Sequence, residues 1–345
     1  MHKIAITFIS RFVLKRKEWL TFMKWKWVAL SILSVLLLIA LMQIDRQSLL
    51  SSIRQIPLWL ILLLAALQIA SQLLVNLQWY RISKLTDMRI SFWDMLYINC
   101  QGAVIDSITP GVKFGGEVTR AALLSRFGNI PGEYSAAIVA MQKLFSLSAL
   151  FLILLLTTMY IIGQVPFLQL HTQVLVYAIL SLFLLIFLAM FLIPGRIREL
   201  LQKRNEPRQT WICRVRNFLL VLLNLIENVR KNKRALTALI FLSLFIWLLY
   251  PVKMYILAMQ FQPYVGFVHI GAIAFAAYMV AMLPIFPGGI GGFEGTMSGL
   301  LIATGYSLSD AATMTVFFRF ITFWFVMLLS LMFIVYRKVV KPNTN

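Results

Sequence analysis

The sequence predicts an all-α polytopic membrane protein, with six full transmembrane helices and two re-entrant helical hairpins arranged as an inverted repeat. Three observations carry that prediction. Hydrophobic residues fill 61% of the 345 positions and charged ones only 13%, and the mean hydropathy is +0.85, a composition outside the soluble range. Apolar runs long enough to cross ~30 Å of hydrocarbon recur along the chain. Two more apolar segments are broken midway by a shared glycine-rich pattern, which membrane depth tolerates only where protein or a wet cavity covers the irregular backbone.

Met1 to Trp27 carries seven Lys or Arg among Phe, Ile, Leu and Trp, which reads as a basic interfacial segment without a small-residue cleavage site. Full spans are expected at about 28–44, 57–78, 134–162, 172–193, 236–259 and 310–336. The re-entrant hairpins are expected over 92–127 and 268–305, each made of two half-helices. A basic loop over 194–235 separates the fourth and fifth spans, and a tail follows from 337 to 345. Within that loop Trp211, Val215, Phe218, Leu222, Ile226 and Val229 recur every three or four residues, so the loop contains an amphipathic helix. We expect it to lie on the anionic inner leaflet.

The formal net charge is +20, and its placement decides its meaning. The basic residues lie in loops between apolar spans, which excludes a nucleic-acid stripe. Sorted by side, one set of loops holds twenty-four Lys or Arg and the other holds only Arg46 and Arg54. The positive-inside rule then puts both termini in the cytoplasm. Lys253, near the outer end of its span, is expected to snorkel. Cys100 and Cys213 share no metal or redox spacing, and His2, His171 and His269 have no partner at nucleophile or metal spacing. Neither a metal nor a cofactor is expected.

The first break reads Pro110, Gly111, Val112, Lys113, Phe114, Gly115, Gly116, Glu117. The second runs from Pro287 and Gly288 through Gly289, Gly291, Gly292 and Glu294 to Gly295. A shift of 177 residues superimposes them, pairing Pro110 with Pro287, Gly111 with Gly288, Gly115 with Gly292, Glu117 with Glu294, Thr119 with Thr296 and Gly128 with Gly305. The chain therefore reads as two repeats, 28–162 and 163–336, each of two spans, a hairpin and a last span. Three full crossings lie between the motifs, and an odd number gives the halves opposite orientation, the architecture of alternating-access carriers.

Glycine lets the backbone at each break approach a neighbour closely, and proline stops the incoming half-helix. The next half-helix starts near Glu117 or Glu294, where free N–H groups and the positive dipole end suit an anion. Each glutamate can also simply cap its helix. Depth favours function, because an ionisable side chain inside the membrane is expensive. Asp106, Lys113 and Arg120 lie close to Glu117 in sequence. Gln142 and Lys143 sit about halfway along the last span of the first half, where Arg319 sits in the second, and each could pair with one of the glutamates. Carboxylates beside Lys and Arg suit a headgroup carrying both amine and phosphate, so membrane phospholipids are the expected ligands.

These motifs resemble one family. Thr109-Pro-Gly followed by Gly-Gly-Glu117, Arg120 after it, and Pro-Gly-Gly-Ile-Gly-Gly-Phe-Glu-Gly from Pro287 are similar to the transmembrane flippase region of the lysylphosphatidylglycerol synthases, the multiple peptide resistance factors, and of its stand-alone relatives. The resemblance covers about 28–336. It implies movement of an aminoacylated or other anionic phospholipid between leaflets of the bacterial inner membrane. The soluble aminoacyltransferase domain of the bifunctional relatives is not expected here, so the chain reads as a translocase, not an enzyme. Two rival readings stay open: a membrane-embedded enzyme on lipid phosphates, and a non-catalytic partner of a separate lipid synthase or glycosyltransferase. A small-ion or solute carrier and a homo-oligomer also fit an inverted repeat.

Overall fold

An apolar run satisfies its backbone in hydrocarbon by closing every hydrogen bond within a helix, and the computed structural model is helical accordingly. It describes residues 46–86, 88, 90–109, 114–162, 170–203, 210–262, 265–283 and 289–340. Among these residues every regular element is a helix. The expected basic segment over 1–27 and the first span over 28–44 lie outside the described residues.

Helix α1 covers Arg46–Arg54 and α2 covers Leu58–Lys84; α3 (Phe92–Ile108) and α4 (Phe114–Gly128) flank the first break. They are followed by α5 (Gly132–Ile162), α6 (Leu170–Leu192), α7 (Pro194–Lys203) and α8 (Thr210–Lys231). Helix α9 is Lys233–Ala258; α10 (Phe267–Ala281) and α11 (Gly292–Ala303) flank the second break. The last rod is α12 (Leu308–Arg319), a π-turn over Phe320–Trp324, and α13 (Phe325–Val340). Among the described residues four helices are long and apolar enough to cross a membrane: α2, α5, α9 and the α12–α13 rod. A fifth crossing is made if α6 and α7, bent by 80° across Pro194, count as one span. The four coincide with expected spans, and α6 covers the expected fourth one, whereas α7 falls within the expected loop over 194–235.

Helices α2, α5 and α9 contact one another at the centre of the bundle. Around them the apolar side chains form two large clusters. One joins α2, α3 and α5 to α8 and includes Trp79, Met95, Ile138, Met141 and Ile226. The other joins α2 and α9 to α10, α11 and α12 and includes Leu60, Met254, Phe293, Met297 and Phe318. Outward residues of α6, such as Leu175, Leu182, Leu185 and Leu188, are exposed, as lipid-facing residues should be.

Two expectations are corrected. The apolar face of α8 does not lie on a leaflet: Leu222, Leu225, Ile226 and Val229 are buried against the cluster built by α5 and α2. Periodicity reveals an apolar face but not what covers it, and here α5 does. Lys253 does not snorkel. It is 3% exposed, and its ammonium donates to Gln68 Oε1 and to Ser71 Oγ of α2. Two polar acceptors on the facing helix satisfy the charge inside the bundle, so its stem has no reason to reach for the interface.

Candidate functional site

The first break sits between two helices that approach too closely for ordinary side chains. A Cβ on Gly116 would lie 2.2 Å from Asp106 Cγ and 2.3 Å from the Gly102 carbonyl oxygen, and one on Gly115 would lie 2.6 Å from Thr109 Cγ2. Glycine at these positions therefore lets α3 and α4 close on each other. Their contact brings the C-terminal end of α3 to the first turn of α4, where backbone N–H groups have no helical partner. The Gly116 N–H donates to Asp106 Oδ1 at 2.9 Å.

Four of the predicted residues meet there. Arg120 Nη1 lies 3.0 Å from Asp106 Oδ2 and 3.0 Å from Glu117 Oε1. Lys143, from the middle of α5, reaches the same Glu117 oxygen at 2.6 Å. The Arg120 guanidinium also stands 5.9 Å from the Trp79 ring, and its stem runs across the space that Gly102 leaves open. Two cations and two carboxylates balance, which is how such a group tolerates low dielectric. One acceptor stays spare: Glu117 Oε2 is buried without a hydrogen-bond partner.

Gln142 joins a different group. Its Nε2 donates to Gln78 Oε1 at 2.9 Å, and Gln78 Nε2 donates to Ser243 Oγ at 2.6 Å. This buried chain ties α5, α2 and α9 together, in the manner of polar side chains between membrane helices.

The second break repeats the carboxylate–cation theme with other packing. Gly289 and Gly291 take φ of 72° and 85°, a left-handed backbone that glycine adopts without strain. Glu294 Oε2 accepts from the Gly291 N–H at 2.6 Å, so the capping role weighed for this glutamate is real. Its other oxygen lies 3.4 Å from Arg319 Nε. Arg319 is 8% exposed and its guanidinium lies between two rings, 4.8 Å from Phe293 and 4.3 Å from Phe323. The π-turn over Phe320–Trp324 begins directly after it, and such turns inside α-helices recur at functional sites. Gly292 is buried, whereas Gly295 has open space where a Cβ would go.

Pro110, Gly111, Lys113, Pro287 and Gly288 lie outside the described residues. Trp79, Gln78, Ser243, Gly102, Phe293 and Phe323 belong to these groups but are not sequence candidates. Gln78 had a signal, being an amide within an apolar span. Phe293 stands inside the second glycine motif, whereas Trp79, Phe323 and Gly102 have no signal, because aromatics and small residues are ordinary in membrane helices.

Comparison with known proteins finds similar membrane proteins. A UPF0104 membrane protein of Methanothermobacter thermautotrophicus is 25% identical over 283 residues, covering 77% of this chain and 82% of that protein. Another from Pyrococcus horikoshii is 24% identical over 288 residues, covering 78% and 84%. A third, from Methanocaldococcus jannaschii, is 25% identical over 277 residues, covering 76% and 80%. The family model described as the lysylphosphatidylglycerol synthase TM region matches residues 26–330. The chain is a membrane protein and belongs to the lysylphosphatidylglycerol synthase TM-region family.

Proposed function

We propose that the protein is a lipid translocase that moves an aminoacylated or other anionic phospholipid between the leaflets of a cell membrane, a bacterial inner membrane by the family resemblance, with both termini cytoplasmic. The observation that carries this reading is the pairing of each break's glutamate with a cation on the long helix that follows: Glu117 with Lys143, and Glu294 with Arg319. An ion pair of this kind is exchangeable. A headgroup amine takes the carboxylate, and a headgroup phosphate takes the released Lys or Arg, so the lipid substitutes for partners that the protein supplies when empty. The spare oxygen of Glu117 gives an amine a first point of attachment.

Two halves with opposite orientation supply the alternation in this proposal. The helix bounds favour it. A shift of 177 residues carries α2 onto α9, α3 onto α10, α4 onto α11 and α5 onto the α12–α13 rod, each within a few residues. In this reading the two domains are the repeats 28–162 and 163–336, the breaks are the tips of re-entrant hairpins, and a sixth span lies over 28–44. Substrate contacts in this proposal fall on Asp106, Glu117, Arg120, Lys143, Glu294 and Arg319, with Gln142 next to Lys143 in sequence and Lys113, outside the described residues, as a further sequence candidate.

The test uses purified protein in liposomes whose amino or anionic lipids are labelled in one leaflet. The parental protein speeds exchange between leaflets, and Glu117→Gln or Glu294→Gln abolishes it at equal incorporation. Parental-rate exchange in both variants would sink the site. Phosphate release in the same vesicles would favour the lipid-phosphate enzyme instead.

A further inference from the structure

Away from both breaks, the N-terminal end of α5, helix α7 and helix α8 border a cavity of about 460 Å³ that is open on one side. Its polar lining is Tyr134, Arg198, Asn224, Glu227, Asn228 and Lys231. Val221 and Leu225 give it an apolar wall. None of these residues belongs to the glutamate clusters.

Apart from Tyr134 of α5, the lining comes from α7 and α8, two helices that the 80° bend at Pro194 brings together. On α8, Asn224, Glu227, Asn228 and Lys231 share a face by helical spacing, while Leu222, Ile226 and Val229 on the other side are buried in the core. That burial fixes the rotation of α8 and so fixes which polar residues face α7. From α7, Arg198 Nη1 reaches Asn224 Oδ1 and Glu227 Oε2, each at 3.1 Å. Lys231 Nζ lies 3.8 Å from Glu227 Oε1 and its side chain is 73% exposed.

A purely structural tie between α7 and α8 needs one pair, Arg198 with Glu227. More is present here. Two cations share a single carboxylate, so the cavity carries an uncompensated positive charge. Arg198 Nε is buried without a hydrogen-bond partner, which is an expensive way to leave a guanidinium donor. Asn224, Asn228 and Tyr134 add neutral donors around the same space. An Arg fork beside a Lys point charge, with amide and hydroxyl donors nearby, is the chemistry that recognises a phosphate.

We infer that this cavity binds a phosphate-bearing anion, either a lipid phosphodiester headgroup or a free phosphate, at a site separate from both glutamate clusters. The apolar wall of Val221 and Leu225 suits the glycerol end of a lipid, and the neighbouring basic residues Arg196, Arg230 and Lys233 raise the local concentration of anions.

The experiment titrates the full chain, delipidated in a phosphate-free maltoside detergent, with inorganic phosphate and with short-chain phosphatidylglycerol, following bound ligand by calorimetry. The parental protein binds at least one probe, and Lys231→Gln weakens that binding about tenfold, the loss of one charge-assisted contact. Glu227→Gln tightens it, because the carboxylate no longer competes for the two cations; a residue serving only to hold α7 on α8 would not give that sign. Tighter binding of the lipid assigns the site to a headgroup, and tighter binding of inorganic phosphate assigns it to a free anion. Neither probe binding, or both variants binding like the parent, overturns the proposal. Thermal midpoints show whether Glu227→Gln stays folded, and the exposed Lys231 provides a test if it does not. Lipid exchange is not the readout, so failure of the translocase reading leaves this result standing.

Discussion

Lys143 Nζ lies 2.6 Å from Glu117 Oε1, joining the middle of α5 to the first turn of the half-helix after the first break. Arg120 reaches the same oxygen from within α4. If the Lys143 contact only holds the bundle together, Lys143→Gln should lower stability and leave exchange unchanged. If Lys143 is released to a headgroup phosphate when Glu117 receives the amine, Lys143→Gln folds but exchanges lipid slowly. We expect the second result, with exchange reduced at least about tenfold, as loss of one strong charged contact implies. Thermal midpoints measured beside the liposome assay separate the two outcomes.

Gly116→Ala should be harmful for a reason of space. Its Cβ would fall 2.2 Å from Asp106 Cγ and 2.3 Å from the Gly102 carbonyl oxygen, so α3 and α4 must part. A loss of about 1–3 kcal/mol is the usual cost of such overpacking. Gly299→Ala, at a helical position with nothing within 4 Å of the new Cβ, should be neutral or stabilising by up to about 1 kcal/mol. Tryptophan fluorescence during thermal unfolding in detergent checks both, and equal midpoints for the two variants would contradict the packing described.

Arg319 should not be replaceable by lysine. Its guanidinium lies against Phe293 and Phe323 while Nε pairs in charge with Glu294 at 3.4 Å, and a compact ammonium cannot cover two rings and keep that ion pair together. Arg319→Lys should lower the thermal midpoint, with about 1–2 kcal/mol lost from the desolvated ring contacts. It should also slow lipid exchange. A lysine variant equal to the parent in both measurements would show that charge alone matters here.

Ile226 and Val215 test where the apolar face of α8 goes. Ile226 is fully buried and Val215 is 47% exposed. Ile226→Ala should cost about 2–5 kcal/mol, as large-to-small changes in packed interiors do, whereas Val215→Ala should stay within about 0.5 kcal/mol. Similar small losses at both positions, with weaker binding to anionic vesicles, would return α8 to the leaflet surface.

Lys253 is predicted to resist chemistry that its neighbours accept. A membrane-permeant amine-reactive ester should modify Lys231 in the folded protein and leave Lys253 untouched, because the latter is 3% exposed and held by Gln68 and Ser71. Mass spectrometry of the digested protein reads both sites, and unfolding before labelling should make them equal.

Much of this molecule was legible in its residues. The spans over 57–78, 134–162, 172–193, 236–259 and 310–336 fall on α2, α5, α6, α9 and the α12–α13 rod, because hydropathy and length are local properties that hydrocarbon reads directly. The breaks were equally visible, since proline and glycine act on their own backbone. Membership of a carboxylate–cation group was legible for Asp106, Glu117 and Arg120, which are near one another in sequence, and for Lys143 and Arg319 through their depth in a span. Tertiary structure alone decided the pairings. Gln142 turned away from the glutamates to Gln78, 64 positions away, and Lys253 found Gln68 across 185 positions. A periodic pattern says that a face is apolar and a buried charge says that it needs a partner. Which helix supplies the cover or the partner depends on how distant segments pack, and no local spacing encodes that.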